Sequence, residues 1–333
     1  MTTEMRTRLV GLKDPAAWSA ALEGLPHSIA HEAAFRAALD TGRDDAQCVL
    51  FVAESERGKA VCPVLERPLE TRADIATPYG FGGFIGVGDL TGLDQAWRAF
   101  ARERGYVAGY LAQHPSLSCS AIGADEERFE SSPVYLLDLR PGEDDIIAGM
   151  SKRRRPSLRR WLKEVEVATG RAELVDAFVK LYPPHMSRLG AASVYFFGDD
   201  ALRRMAGLDS VVLFGARNEA GEIEAVSMTA VTAPCADYLF FAATEDARDH
   251  SVGLIWCGMR EAKARGAEWI NLGGAVKEGD GVGEFKRRFG ATLTPTQCLK
   301  QVYDLQAYDA LCEENACDAQ NRNGYFPAYR APR

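Results

Sequence analysis

Lys286 stands between Phe285 and the pair Arg287-Arg288, and the type and setting of this cation suit chemistry on an acyl centre. It closes the stretch Gly266 to Gly290, GAEWINLGGAVKEGDGVGEFKRRFG. Glu268 to Leu272 is short, apolar and β-prone, and follows a helical pattern that stops at Gly266, so it reads as a central strand. The strand leaves through Gly273-Gly274, and two glycines there let a backbone or a ligand approach where a Cβ would clash. A loop with Gly279, Gly281 and Gly283 follows. Phe285 and Phe289 then share one face at i, i+4, Lys286 sits at the start of this short helix, and Gly290 is placed to cap its end. Cations beside a glycine turn suit an anionic ligand or the oxyanion that forms during acyl transfer. A solvated basic turn after an ordinary strand has the same composition.

A second cationic group precedes it. Ser151 to Lys163, SKRRRPSLRRWLK, carries Lys152, Arg153, Arg154, Arg155, Arg159, Arg160 and Lys163, in a chain whose net charge is −8. The acidic balance opposes indiscriminate polyanion binding, whereas a focused basic stripe suits selective capture of a nucleic acid or phosphorylated ligand. An exposed helix face or interdomain linker would look the same.

Other chemistries find less support. Of the five histidines only His27 and His31 lie close in sequence, HExxH is absent, and no metal site is expected. The eight cysteines form no CxxC pair, and runs such as CVLFV and AVCPVL read as holding buried free thiols. Without GxGxxG after a first strand or a P-loop lysine, nicotinamide and ATP chemistry are not expected. No apolar run reaches the roughly 18 to 20 residues of a membrane span, and the N-terminus lacks a signal peptide's apolar stretch, so a cytoplasmic protein is expected.

The elements that must position these groups fall into two series. Trp18 to Leu22 and Ile29 to Leu39 read as helices, and Gln47 to Ala53 with Ala60 to Leu65 as a hairpin. Thr77 to Gly86, TPYGFGGFIG, reads as an ordered loop whose backbone lines a cleft. Leu93 to Arg104 is an amphipathic helix, and Tyr106 to Gln113 a strand closing at His114-Pro115. In the second half, Ala172 to Leu189 is helical and interrupted at Pro183-Pro184. Ser210 to Arg217 and Glu224 to Val231 form another hairpin, followed by a strand at Asp237 to Ala243 and a helix at Leu254 to Arg265.

The halves repeat in outline: RAFARERGYVAGYL in the first answers REAKARGAEWINL in the second. Equal order at equal spacing implies a duplicated α/β (α+β) unit with a cleft between the copies. At 333 residues, two domains of about 150 residues each are expected, drawn at 1–145 and 146–333 with 151–163 as a basic linker helix.

YLFFAATEDARDHSVGLIWCGMREAKARGAEWINLGG followed by GEFKRRFG, with the TPYGFGGFIG loop, resembles the Fem family of aminoacyl-tRNA-dependent peptidyltransferases over roughly residues 30 to 305. The resemblance implies two tandem GNAT-like domains with an interdomain cleft. It implies aminoacyl-tRNA as co-substrate, no cofactor, and a peptidoglycan precursor or natural-product peptide as amine acceptor. Phe285 and Lys286 would then receive the aminoacyl end, with Lys286 steadying the tetrahedral oxyanion. Arg36, Tyr79, Arg188, Tyr238, Gly273 and Gly274 are placed at the substrate sites, and Lys152 to Arg155, Arg159, Arg160, Arg287 and Arg288 at the tRNA. Family members carry an acidic residue before proline where this chain has His114-Pro115, so a neutral His114 is the candidate proton acceptor. The rival within the fold is an acyl-CoA-dependent N-acyltransferase on a small amine. Such enzymes cradle the CoA pyrophosphate on a glycine-rich turn, where this chain has Arg248-Asp249-His250-Ser251-Val252-Gly253. A third possibility is a non-enzymatic scaffold that binds an anionic partner.

Overall fold

The computed structural model describes residues 5–40, 45–117, 119–274 and 281–332. In chain order the elements are β1 (Arg6–Gly11), α1 (Pro15–Leu22), α2 (Ala33–Leu39), β2 (Gln47–Glu54), β3 (Gly58–Leu69), β4 (Arg72–Ala76), β5 (Ile85–Gly88), α3 (Leu93–Glu103) and β6 (Tyr106–Ala112). There follow β7 (Arg128–Asp138), α4 (Glu143–Gly149), α5 (Arg154–Glu164), β8 (Val167–Ala168), α6 (Arg171–Arg188), α7 (Asp199–Ala206), β9 (Val211–Arg217), β10 (Ile223–Thr232) and β11 (Cys235–Ala243). The chain closes with α8 (Ser251–Ala264), β12 (Trp269–Gly274), α9 (Gly281–Arg287), β13 (Thr292–Val302) and α10 (Leu305–Glu314).

Packing divides the chain into a unit of residues 1–132 with 295–333 and a unit of residues 133–294. The sequence places one boundary at 145/146; the chain instead crosses over and returns. The return follows from β13, which pairs antiparallel with β6 from Cys298↔Ala112 to Val302↔Ala108 and so belongs to the first unit.

In the first unit β1, β2 and β3 are antiparallel neighbours, β3 also pairs with β4 and β5, and β4 runs parallel to β6. Local chemistry sets the boundaries. Asp14 caps α1 by accepting from the Ala17 N–H at 3.0 Å, with Pro15 as the first helical residue. Ser55 Oγ accepts from the Arg57 and Gly58 N–H groups and closes the β2–β3 turn. The core gathers Phe51, Phe84, Trp97 and Tyr106, all fully or almost fully buried. Trp97 answers its one polar atom by donating Nε1–H to Gln301 Oε1 at 2.9 Å.

In the second unit β9, β10 and β11 form an antiparallel run, with β8 against β9. β11 runs parallel to β12, and β12 antiparallel to β7. Leu158 of α5 is fully buried in the same core as Ile255, Trp256 and Met259 of α8 and Ile270 and Leu272 of β12. The basic stretch is therefore an integral helix of this unit rather than a linker, because Leu158 anchors one face while Arg159, Arg160 and Lys163 take the other. α6 also departs from expectation and runs unbroken through Pro183 and Pro184. Its partners hold it: Phe178, Tyr182 and His185 are buried, and the Ser187 hydroxyl donates to the Pro183 carbonyl at 2.9 Å. Among the described residues no helix is long and apolar enough to cross a membrane.

Two histidines give the first unit a pH-dependent stability. Burial pushes His31 down to about 3, helped by the nearby His114, and burial pushes His114 down to about 4. Both are neutral when folded, while an unfolded histidine takes a proton near pH 6.5. Their contribution is complete above that value and is lost as pH falls from 6.5 toward 4. At pH 5 each costs on the order of 1 to 2 kcal/mol relative to neutral pH. Urea midpoints for the first unit are expected to fall between pH 7.5 and 5, and His114→Asn to flatten that fall. An unchanged wild-type midpoint across this range would contradict the assignment.

Candidate active site

The centre of the second unit is a place where two strands part. β10 and β11 pair from Thr232↔Cys235 to Thr229↔Tyr238, then resume at Met228↔Phe240, so the register skips Leu239 and β11 bulges. β11 and β12 pair in parallel at Cys235↔Trp269, Ala236↔Ile270 and Asp237↔Asn271. Asn271 marks the end of that pairing with its side chain. Its Nδ2 donates to Asp237 Oδ1 at 3.1 Å, while its Oδ1 accepts from the Gly273 N–H at 2.8 Å. Beyond it β12 turns through Gly273, whose φ of +77° suits glycine, to Gly274, whose carbonyl accepts from Lys286 Nζ.

Lys286 is only 8% exposed, so its ammonium lies inside the unit against the strand end, not in bulk water. The structure corrects its place in the helix: α9 spans Gly281–Arg287 and Lys286 sits in the last turn, not the first. The direction of the side chain follows from this. A helical side chain leans toward the N-terminus of its helix, which sends Lys286 back toward Gly274. A Cβ built on Gly273 would stand 3.3 Å from Lys286 Nζ, which accounts for the glycine physically. Residues 275–280, including the expected Gly279, lie outside the described residues.

α9 is fastened from one side. Phe285 and Phe289 pack edge to face with centroids 5.3 Å apart. The Arg154 guanidinium, on the first residue of α5, lies 4.4 Å and 4.3 Å from those two rings and donates to the Phe285 carbonyl at 2.8 Å. Burial lowers Arg154 to about 10, which leaves it cationic at neutral pH. Cation–π contacts at a half-buried site are worth about 1 kcal/mol. The Ser151 N–H completes the fastening by donating to the Arg288 carbonyl at 3.0 Å. Arg154, expected at the tRNA, is therefore engaged inside the unit, because its stem begins on the face of α5 that meets α9.

The remaining cations sort by face. Lys152, Arg155, Arg159, Arg160 and Lys163, with Pro156, line an open groove of about 620 Å³. Arg155 also donates Nε–H to the Met150 carbonyl. Lys152 is shared with a second groove of about 410 Å³ that includes Arg153, Arg287, Arg288 and Glu284. Arg287 and Arg288 both pair with Glu284, which lowers their net positive field.

The other expected substrate residues have local partners. Arg36 is 3% exposed and donates to the carbonyls of Ala30 and Tyr79, so it ties down the 77–84 loop instead of offering a free charge to a ligand. Tyr79 itself is half-buried. Arg188 donates to the carbonyl of Ala243, the last residue of β11. Tyr238 packs on the core of the second unit, and burial raises its hydroxyl well above the usual phenol range, so it stays protonated. His114 is 1% exposed with Nδ1 accepting from the Ser116 N–H at 3.2 Å. Burial lowers it to about 4, so it is neutral at physiological pH.

Two groups went unread in the sequence. Asp237 is 8% exposed, and burial pushes its carboxyl up to about 6 despite the bond from Asn271. The signal was present: both are polar residues within apolar strands, which need a partner when buried. The other is a relay at the start of α8. Trp161 Nε1 donates to His250 Nδ1 at 2.9 Å, and His250 Nε2 faces Glu224 Oε1 at 2.9 Å. A Cβ at Gly253 would stand 2.1 Å from the Trp161 indole, so a side chain of α5 occupies the space over the first turn of α8.

Residues 150–287 match the model of the acetyltransferase (GNAT) domain. No curated protein matches the sequence. Among solved structures, FemX superposes with a TM-score of 0.69 at 13% identity, covering 92% of this chain and 99% of that one. The C-terminal domain of a putative lysylphosphatidylglycerol synthetase from Agrobacterium fabrum gives 0.55 at 19% identity, covering 91% and 95%. L-PGS from Bacillus licheniformis gives 0.56 at 15% identity, covering 87% and 92%.

Gly273→Ala tests the geometry of the strand end. The added Cβ at positive φ is expected to cost roughly 1 to 2 kcal/mol and to displace the Lys286 ammonium. Urea denaturation and a crystal structure of the variant check both, and equal stability with Lys286 unmoved would refute the account.

Proposed function

The chain has a Fem-like tandem GNAT fold, and from that premise we propose that it is an aminoacyl-tRNA-dependent transferase that joins a tRNA-activated amino acid to an amine acceptor. The observation that carries this reading is the buried Lys286 ammonium held at the end of β12. An ester-activated amino acid needs no metal and no nucleotide hydrolysis. The protein has to bring amine and ester together and supply positive charge where the anion develops.

In the proposed reaction the acceptor amine attacks the ester carbonyl carbon, and the carbonyl oxygen takes up negative charge beside Lys286. Collapse of the tetrahedral intermediate breaks the bond to the ribose oxygen. That leaving oxygen takes the proton lost by the amine nitrogen, so amide and free tRNA result with atoms and charge balanced. The acceptor belongs to the class of peptidoglycan precursors or natural-product peptides. The exposed cations of α5 supply the phosphate contacts, with Arg287 and Arg288 as weaker contributors because Glu284 pairs with both.

Acyl-CoA is the second reading, favoured by the match of residues 150–287 to the acetyltransferase domain. What weighs against it is the start of α8. The Trp161 indole lies against Gly253, His250 is engaged by Trp161 and Glu224, and Asp249 adds negative charge where a pyrophosphate would need amide donors.

Incubation with mixed charged tRNAs and a panel of amines, with and without ribonuclease and with and without acyl-CoA, separates the two. Ribonuclease-sensitive amide is expected, with Lys286→Met lowering turnover by about 10² to 10³ while the fold is retained. Product that requires acyl-CoA instead would move the assignment to the second reading.

The α5 face makes a separate prediction. Arg159→Gln with Lys163→Gln is expected to weaken binding of uncharged tRNA and to reduce the slope of log K against log salt by about two. Unaltered affinity and slope would remove this face from the tRNA site.

A further inference from the structure

Lys286 rides on a helix too short to hold itself. Among the described residues α9 spans Gly281–Arg287, and a helix of fewer than about 12 residues is marginal without tertiary support. Its orientation therefore comes from what it packs on. Phe289 is buried in the core of the unit, and over it lies Arg154, whose guanidinium covers the rings of Phe285 and Phe289 and binds the Phe285 carbonyl, one residue before Lys286. Gly290 closes on the same neighbourhood, since a Cβ there would lie 3.1 Å from the Gly149 carbonyl.

We propose that Arg154 is the positioning residue for Lys286: it fixes the rotation and depth of α9, and with them the aim of the ammonium at the Gly274 carbonyl end of β12. The geometry distinguishes it from its neighbours in the stripe. Lys152 and Arg153 are exposed just before it, and Arg159, Arg160 and Lys163 are exposed further along α5, whereas Arg154 is turned into the unit and finds both its ring partners and its carbonyl acceptor on the α9 segment. A lysine in its place keeps the charge but not the planar fork that meets two rings and a carbonyl together. Because Arg154 opens the helix whose outer face carries the groove cations, its side chain links the element proposed to receive phosphate to the element bearing Lys286. The inference rests on the proposed function only for its effect on turnover; the effect on Lys286 itself is independent.

The test uses the full chain with Arg154→Met and Arg154→Lys, each first checked by thermal denaturation and circular dichroism. Amines are acetylated with an N-hydroxysuccinimide ester under native conditions, and Lys286 labelling is read by peptide mass spectrometry against exposed Lys180. Lys286 is expected to be slow in the wild type, several-fold faster in Arg154→Met, and intermediate in Arg154→Lys. Turnover with charged tRNA is expected to fall by up to about 10² through kcat, as a misplacement of the order of 1 Å can cause, with KM for tRNA little changed. Unchanged Lys286 labelling in a folded Arg154→Met would overturn the proposal. So would a loss confined to KM, which would make Arg154 an ordinary phosphate contact. Should Lys286→Met itself keep full turnover, the proposed function fails, and the labelling ratio still decides the role of Arg154.

Discussion

The separation of β11 from β12 after Asp237 and Asn271 is the constraint on which the setting of Lys286 depends. Parallel strands in a core normally continue until both end, because each buried N–H and C=O needs a partner. Here Asn271 stands in for the missing strand by bonding Asp237 on one side and the Gly273 N–H on the other. The skipped Leu239 bends β11 away, and the positive φ of Gly273 turns β12 away. The result is a carbonyl at Gly274 that accepts from a buried ammonium, at a residue still paired with Val134 of β7. A charge that would be costly to bury alone is tolerated because the strand end supplies an acceptor.

The same device recurs elsewhere. Arg36, buried, and Arg154, half-buried, are both bonded to backbone carbonyls, and each holds a short segment that has little structure of its own: the 77–84 loop in one unit, α9 in the other. A guanidinium suits this use because it is weakly hydrated, always charged and able to reach several acceptors in one plane. Of the other cations of α5, Arg159, Arg160 and Lys163 are exposed to solvent, and Arg155 is half-buried.

Much of this was legible in residue types and spacing. The β12 strand, the glycine exit, the shared face of Phe285 and Phe289 and the paired hairpins all follow from local periodicity, which the structure respects. Sequence spacing put Lys286 at a helix start because Gly281 to Gly283 read as loop; in the fold these glycines are already helical, which moves the lysine to the last turn. The sequence also showed Arg154 as one cation of seven, since nothing local says which side of a helix meets aromatic rings 131 positions later. Arg36 and His114 looked available for the same reason, and burial is a property of the whole unit. α6 passes two prolines that should break it, a case where tertiary packing overrides propensity. The return of residues 295–333 to the first unit was invisible because a duplicated order of elements suggests a simple tandem division.

That return has a consequence for the order in which the protein can be made. The first unit's sheet needs β13 beside β6, yet some 160 residues of the other unit, 133–294, leave the ribosome before that strand does. Until then β6 presents an unpaired edge of apolar residues, and Trp97 lacks the Gln301 acceptor for its indole. The second unit, by contrast, is contiguous and can close on its own as it emerges. Synthesis thus leaves the earlier-made half waiting on the later one, with the β6 edge open until Cys298 to Val302 arrive to pair with it.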